Sequence, residues 1–453
     1  MPAGGESSSG VHERRIIMNI QTEIFNGPCS CGREHKIEVK DIILGNHAAE
    51  ALLEALKRGS LSQYQNPLIL CDENTREAAM GKLETVWQLC GEIVLPPQDL
   101  HANNHGVDMV HNAMEDMESG KESAPDLLLA VGAGTIHDLT RYVAHEKGIP
   151  FVSVPTAASV DGFVSTVAAM TWNGMKKTLP AVAPIYVFAD TEIFSRAPYR
   201  LTASGISDLM GKYIALADWR IAHEVTGEYI CERICGMEMD ALETVCKCLD
   251  GLRTGAAEAY ENLMYALLLS GLAMQMIGNS RPASCAEHHV SHLWEMEIIN
   301  DYVDALHGEK VSIGLVLTLN LYKKIANSIQ EGTCHVKPYE GLENELIRKT
   351  FGAKGLYEAT IQENTPDPML AVDSGQLEKC LPKIAQVIDA LPEVDEILSL
   401  LKKGGCVYNV GQIGLTEDII PLTIQLSPYV RNRLSFNRIR KMLVYPFDGT
   451  GIM

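Results

Sequence analysis

Residues 127–138 read Leu-Leu-Leu-Ala-Val-Gly-Ala-Gly-Thr-Ile-His-Asp, five apolar residues that pass through two glycines straight into a helix-forming stretch. An apolar run of that length closed by glycines is the pattern of a buried strand, and residues 136–144 carry helical periodicity. Strand, turn and helix in this order form the first half of a βαβ unit. Glycines let backbone approach a phosphate, and a helix N-terminus offers unpaired N–H groups and a positive dipole end to a pyrophosphate. Gly132, Gly134, Thr135, Ile136, His137 and Asp138 are therefore candidate contacts for a dinucleotide. The run is not the full G-x-G-x-x-G fingerprint, and a plain strand-to-helix turn explains it equally well.

Outward from this stretch the same alternation recurs. Residues 67–71, 151–154 and 185–189 read as further strands, with helical patterns at 75–89 and 136–144, which predicts an open, doubly wound, Rossmann-like sheet with right-handed crossovers. From about residue 201 strand-like runs nearly vanish, and long helix-periodic stretches such as 205–224 and 258–276 take over. The break falls near Pro198. The expected organisation is a floppy Gly/Ser-rich tail over 1–18, a nucleotide-binding α/β part over 19–197 and an all-helical part over 198–453. The tail holds no apolar segment long enough for a signal peptide or a membrane span, so no membrane insertion and a cytoplasmic location are expected.

The 38 basic and 58 acidic side chains leave a formal charge of −20, which repels nucleic-acid phosphates and excludes nucleic acid as a natural partner. An anionic substrate would have to be held by local cations and backbone N–H groups. Twelve cysteines without a secretory signal point to free thiols in a reducing compartment. Cys29, Cys31 and His35 have the look of a metal knuckle. A structural zinc site needs four ligands, no second matched pair is evident, and the three read as turn residues; Cys231, Cys235, Cys246 and Cys248 read as packing. Residues 431–441, rich in arginine, read as a solvated helix face.

A second loop follows the strand at 151–154: Ser153-Val-Pro-Thr156-Ala157-Ala158-Ser159-Val-Asp161-Gly-Phe-Val-Ser165. Ligands of open α/β sheets bind beyond the carboxyl ends of the strands, where this hydroxyl-rich loop lies; the competing reading is a polar loop that caps the next helix. Asp72, directly after an earlier strand, is a candidate acceptor for a ribose hydroxyl or, equally, turn chemistry. The third constellation is Asp208, then Glu287-His288-His289-Val-Ser-His292, then Leu306-His307-Gly308-Glu309-Lys310. His288 and His292 share a helix face. A carboxylate and two imidazoles with open positions suit a Lewis-acidic divalent cation, although histidines on helices are more often structural.

The ordered set GAGTIHD, SVPTAASVDG, SGISDLMGKYIALADW, SRPASCAEHHVSH and LHGEKVSIG resembles the sn-glycerol-1-phosphate dehydrogenases, within the superfamily of metal-dependent polyol dehydrogenases and 3-dehydroquinate synthases. The resemblance covers residues 19–314 and weakens afterward. It implies a Rossmann-like domain and a helical domain with the site between them, and interconversion of dihydroxyacetone phosphate and sn-glycerol 1-phosphate with NAD or NADP. It further implies one divalent metal, zinc or nickel ahead of iron, and a homo-oligomer, most simply a homodimer. Carried over by motif, Asp208, His288 and His307 are metal ligands, Asp161, Asp208 and His292 meet substrate, and Asp208 and His292 serve catalysis. Gly132, Gly134 through Asp138, Thr156 through Ser159, Ser165 and Asp72 line the cofactor. The doubled histidine leaves open whether His288 or His289 is the ligand. Ala133 replaces the middle glycine of the family's turn, and the span from His288 to His307 is longer than in archaeal relatives. Lys176, Lys177, Lys212 and Lys310 lie near the motifs as possible phosphate partners. The rival readings are a 3-dehydroquinate-synthase-like lyase, a dehydrogenase of unphosphorylated glycerol, and a catalytically silent nucleotide-binding protein.

Overall fold

The structure is a computed structural model and describes residues 18–120 and 123–447. Of the tail expected over 1–18, residues 1–17 lie outside the described residues, and Met18 already opens a strand.

Seven strands form one sheet: β1 (Met18–Ile20), β2 (Asp41–Leu44), β3 (Pro67–Asp72), β4 (Gly91–Leu95), β5 (Leu127–Gly132), β6 (Phe151–Pro155) and β7 (Tyr186–Ala189). Their order is β1-β2-β7-β6-β5-β3-β4, parallel throughout except for β1, which runs antiparallel to β2. Every residue of β5 and β6 is buried, which is why the central strands read as unbroken apolar runs. Strands β1, β2 and β4 are short, β2 and β4 are partly exposed as well, and none of them stood out in the sequence.

Helices α1 (Ala48–Arg58), α2 (Glu73–Trp87), α3 (Asn104–Ser119) and α4 (Gly134–Lys147) join these strands. Leu52 of α1 and Leu83 of α2 share one apolar cluster with Ile69, Leu129 and Val154, while Val110 of α3 and Leu139 of α4 share another with Leu70, Leu128 and Phe151. Alternate strand residues thus face opposite layers, and the sheet is doubly wound. Strand order reverses between β3 and β5, so the crevice of such a sheet opens at Asp72 on one side and at the Gly132–Gly134 turn on the other. A further hairpin, Val167–Trp172 with Met175–Pro180, turns through Asn173 and Gly174 at φ 50° and 80°. Asn-Gly is the strongest short-range hairpin signal and was present in the sequence.

Beyond β7 the chain is almost entirely helical. Pro198 is the N-cap of α5 (Tyr199–Met210), and α6 (Lys212–Thr226) follows after the single residue Gly211, so the stretch expected as one helix over 205–224 is two. Then come α7 (Glu232–Thr254), α8 (Ala257–Ile277), α9 (Ala286–Glu295) and α10 (His307–Gln330). No helix among the described residues is long and apolar enough to cross a membrane.

The arginine-rich segment 431–441 is not a solvated face. Arg438 is fully buried; it donates to Asn364 Oδ1 at 2.7 Å, to the Pro428 carbonyl at 3.1 Å and to Asp367 Oδ1 at 3.0 Å. Arg433 reaches the Ser284 carbonyl, 2.6 Å away. A guanidinium carries five donors in a fixed fork, and here backbone carbonyls take the place of water. Charge density alone does not reveal which arginines are so enclosed.

Candidate active site

Two glycines let three helices meet backbone to backbone. A Cβ on Gly308 would stand 2.0 Å from the Ser204 carbonyl of α5, and one on Gly314 2.3 Å from the Glu287 carbonyl of α9. Helix α10 is therefore pressed against both neighbours. This approach brings Asp208, near the end of α5, His288 of α9 and His307, the first residue of α10, together, with one ligand atom from each lying within 4.8 Å of the others.

Each imidazole is held by its own carboxylate. His288 Nδ1 donates to Glu287 Oε1 at 2.7 Å while its Nε2 lies 3.2 Å from Asp208 Oδ1. His307 Nδ1 donates to Glu295 Oε1 at 2.7 Å. A carboxylate on Nδ1 orients each ring and, once a cation takes the place of the Nε2 proton, presents Nε2 as the ligand, the usual outer-shell support of a metal-ligating histidine. Burial disfavours charge on His288, yet Asp208 and Glu287 overrule it and lift its pKa to about 9. Burial would likewise raise Asp208, but Lys212 and His288 hold it well below the usual carboxylate range. The cluster pulls positive charge inward, and its oxygen and nitrogen donor set fits a divalent cation of the zinc, nickel or iron type. His289 does not join it: both ring nitrogens are buried without a hydrogen-bond partner. His292 does, with its ring 5.7 Å from that of His307 and 6.0 Å from that of His288; burial keeps it neutral.

Behind the cluster lies a second layer of charge. Lys212, fully buried, donates to Asp161 Oδ2 at 2.7 Å and Asp208 Oδ1 at 3.1 Å; it is engaged by carboxylates, unlike a lysine awaiting phosphate. Asp161 in turn uses its backbone N–H on Asp208 Oδ2 (3.0 Å), and Ser270 Oγ lies 2.9 Å from Asp161 Oδ2 and 3.1 Å from Glu238 Oε1. Burial pushes the Glu238 carboxyl up to about 8. Of these supports Lys212 and Asp161 were singled out in the sequence, each for another role, and Ser270 and Glu238 were not. Glu287 stands directly before His288, and Glu295 follows His292 by three on the same helix; that adjacency was the available signal.

The glycine turn and the loop beside it are built as tightly. A Cβ on Gly132 would fall 2.4 Å from Ile136 Cβ, so only glycine closes this turn. Thr156 N–H donates to the Gly132 carbonyl at 3.0 Å, tying the loop after β6 to the turn after β5. His137 faces inward, Nδ1 bonded to the Ala133 carbonyl at 3.0 Å and Nε2 to Ser153 Oγ at 2.7 Å. Ser165 Oγ accepts from Val167 N–H at 3.1 Å, and Arg141 holds the Phe163 and Ser165 carbonyls from below. Ala157, Ala158, Thr156 and Ser159 are all buried, and the missing side chain of Gly205 lets α5 press on the Ala158 carbonyl. Asp72 Oδ1 caps α2 through Thr75 N–H at 2.9 Å. The loop carrying Asp161 thus touches the Asp208–His288–His307 cluster directly, whereas Asp72 stands across the glycine turn from it.

The family model described as iron-containing alcohol dehydrogenase matches residues 44–198. Among curated proteins, the glycerol-1-phosphate dehydrogenase (NAD(P)+) of Bacillus licheniformis is 36% identical over 358 residues, covering 76% of this chain and 88% of that protein. The chain belongs to the glycerol-1-phosphate dehydrogenase family. Other glycerol-1-phosphate dehydrogenases that it resembles include the protein of Geobacillus stearothermophilus, 31% identical across 90% of this chain and 93% of its own length, and that of Pyrococcus furiosus, 31% identical across 68% and 87%. The Geobacillus alignment carries the family likeness well past residue 314. Solved structures share the fold at lower identity: a point mutant of an archaeal halo-thermophilic Red Sea brine pool alcohol dehydrogenase aligns with a TM-score of 0.58 at 16% identity, covering 92% of this chain and 97% of that one. A probable glycerol dehydrogenase from Sinorhizobium meliloti aligns at 0.55 and 16%, over 87% and 90%.

Proposed function

We propose that this chain interconverts dihydroxyacetone phosphate and sn-glycerol 1-phosphate with NAD or NADP, at the cluster where Asp208, His288 and His307 converge beside the glycine-turn crevice. That convergence, with each imidazole turned by a glutamate, is the observation that supports the reading most. Asp208, His288 and His307 hold one divalent cation. When bound, such a cation would supply Lewis acidity toward the secondary oxygen of the substrate and a nicotinamide would supply the hydride-transfer chemistry.

The chain's own residues do the rest. Glu287 and Glu295 keep the two imidazoles aimed, and Lys212 fixes Asp208 and Asp161 against each other. Asp161 orients the substrate hydroxyls. His292, neutral and beside His307, takes up or returns the proton of the secondary hydroxyl. Gly132, Gly134 through Asp138, Thr156 through Ser159 and Ser165 form the cofactor wall, by backbone approach where the side chains are buried, and Asp72 meets the adenosine end.

Phosphate has two cations to meet. Lys176 is already paired with Glu295 at 2.9 Å, whereas burial depresses Lys310 and Arg431, Arg431 to about 10, a cost that a phosphate partner offsets. The relatives described above are named for the phosphorylated compound, which favours this reading over the unphosphorylated alternative. A cytoplasmic homodimer completes it, and twelve unpaired cysteines suit a reducing compartment.

The test is NADH and NADPH absorbance with dihydroxyacetone phosphate, dihydroxyacetone and a sugar-acid phosphate, followed by chiral analysis of the product. Turnover confined to dihydroxyacetone phosphate, with the 1-phosphate as product, is expected. Preference for the unphosphorylated ketone, or the 3-phosphate enantiomer as product, refutes it.

A further inference from the structure

A second cluster, outside the catalytic crevice, gathers Cys29, Cys31, His35 and Cys231 with one ligand atom of each within 4.8 Å of the others. The first three lie on a hairpin: Gly27–Pro28 pairs with Glu34–His35, and the turn closes through Cys29 N–H to the Arg33 carbonyl at 2.9 Å and Gly32 N–H to the Cys29 carbonyl at 3.0 Å. Gly32 takes φ +84° there, which lets both cysteines of the turn face one side. The fourth residue arrives from far along the chain, as the N-cap of α7.

We propose that these four residues form a closed, structural Cys3His zinc site. Tetrahedral zinc, with Zn–S near 2.3 Å and Zn–N near 2.05 Å, needs ligand edges of about 3.8 Å between sulfurs and about 3.5 Å between sulfur and nitrogen. The observed edges are 3.8 Å for Cys29 Sγ to Cys231 Sγ, 3.4 Å for Cys31 Sγ to His35 Nε2, and 3.5 Å for Cys231 Sγ to His35 Nε2. His35 Nδ1 donates to the Met276 carbonyl at 2.8 Å, so Nε2 carries the lone pair that faces the sulfurs, with the outer-shell partner such a ligand wants. Tyr229 OH donates to Cys31 Sγ at 3.1 Å. Ordinary packing of thiols asks for none of this convergence.

The site ties the hairpin to the N-terminus of α7 and, through Met276, to the C-terminal end of α8. Those two helices carry Glu238 and Ser270, which support Asp161. Four occupied corners leave no open position, so the zinc holds these helix ends in place and takes no part in turnover.

The experiment uses the full chain, purified without chelator and analysed for metal by mass spectrometry. After dialysis against EDTA, which empties an open three-ligand site first, one zinc per chain is expected to remain. A thiol-directed mercurial then releases it to a colorimetric indicator, with a lowered thermal midpoint. Cys29→Ser and Cys231→Ala are expected to lose this equivalent, and His307→Ala to keep it. Cobalt exchanged into the wild-type chain is expected to show thiolate-to-metal charge-transfer bands, a readout that survives if the cysteine variants fail to fold. A folded chain with no chelator-resistant zinc and no such bands overturns the proposal. The count is independent of whether the catalytic reading holds.

Discussion

Lys212 is the sharpest single perturbation available. It is fully buried and is the cation joining Asp161 (2.7 Å) to Asp208 (3.1 Å). Replacing it with methionine keeps the volume and leaves two enclosed carboxylates without their countercharge, which costs about 3–5 kcal/mol in the cation-free protein. A divalent cation on Asp208 neutralises one of the two, so with cation bound the loss shrinks to about 1–3 kcal/mol, that of Asp161 alone. By linkage the variant binds the cation tighter by the difference, about 2 kcal/mol or roughly 30-fold. The assay is calorimetry of wild type and Lys212→Met at fixed scan rate, with EDTA and with saturating zinc or nickel, alongside a metal titration. Chelator should lower the thermal midpoint of the variant more than that of wild type. Equal drops, or weaker cation binding by the variant, would refute the placement of the cation at Asp208.

Further outcomes follow from the same geometry. Glu295→Gln is expected to weaken cation binding about 10–100-fold by loosening His307, measured by competition with a metal indicator. Asp208→Asn and His307→Ala should lose about 10³-fold or more in kcat/KM, read by NADH absorbance, with nucleotide binding retained. Gly132→Ala, whose added carbon meets Ile136 at 2.4 Å, should cost about 1–3 kcal/mol in stability and raise KM for the nucleotide. His137 gives a pH signature: burial, with the Arg141 charge, drops its pKa from 6.5 to about 3. A depressed histidine contributes stability that is complete above pH 6.5 and is lost as pH falls toward 3, at about 1.4 kcal/mol per unit; His137→Gln should flatten that limb in acid melts.

The sequence exposed those parts of the molecule whose residues are local and sharply patterned. Buried strands such as Leu127–Gly132 announce themselves because both faces are apolar, and the Gly132–Gly134 turn because nothing larger fits. Edge strands such as Gly91–Leu95 stayed hidden, being short and half exposed. Motif order alone suggested Asp208, His288 and His307, and the choice between His288 and His289 waited for coordinates, since both lie on α9 and only the neighbouring helices decide which one faces Asp208. Cys231 was hidden for a similar reason: it stands 196 residues from His35, and no local spacing links them. Buried arginines such as Arg438 look like surface charge until the carbonyls around them are seen.

Crystals of the zinc- or nickel-loaded chain, measured at the absorption edge of that metal, test the central claim most directly. An anomalous peak within bonding distance of Asp208, His288 Nε2 and His307, facing the Gly132–Gly134 turn, is the predicted result. No peak there at full loading, or one bound through His289 instead, contradicts the account.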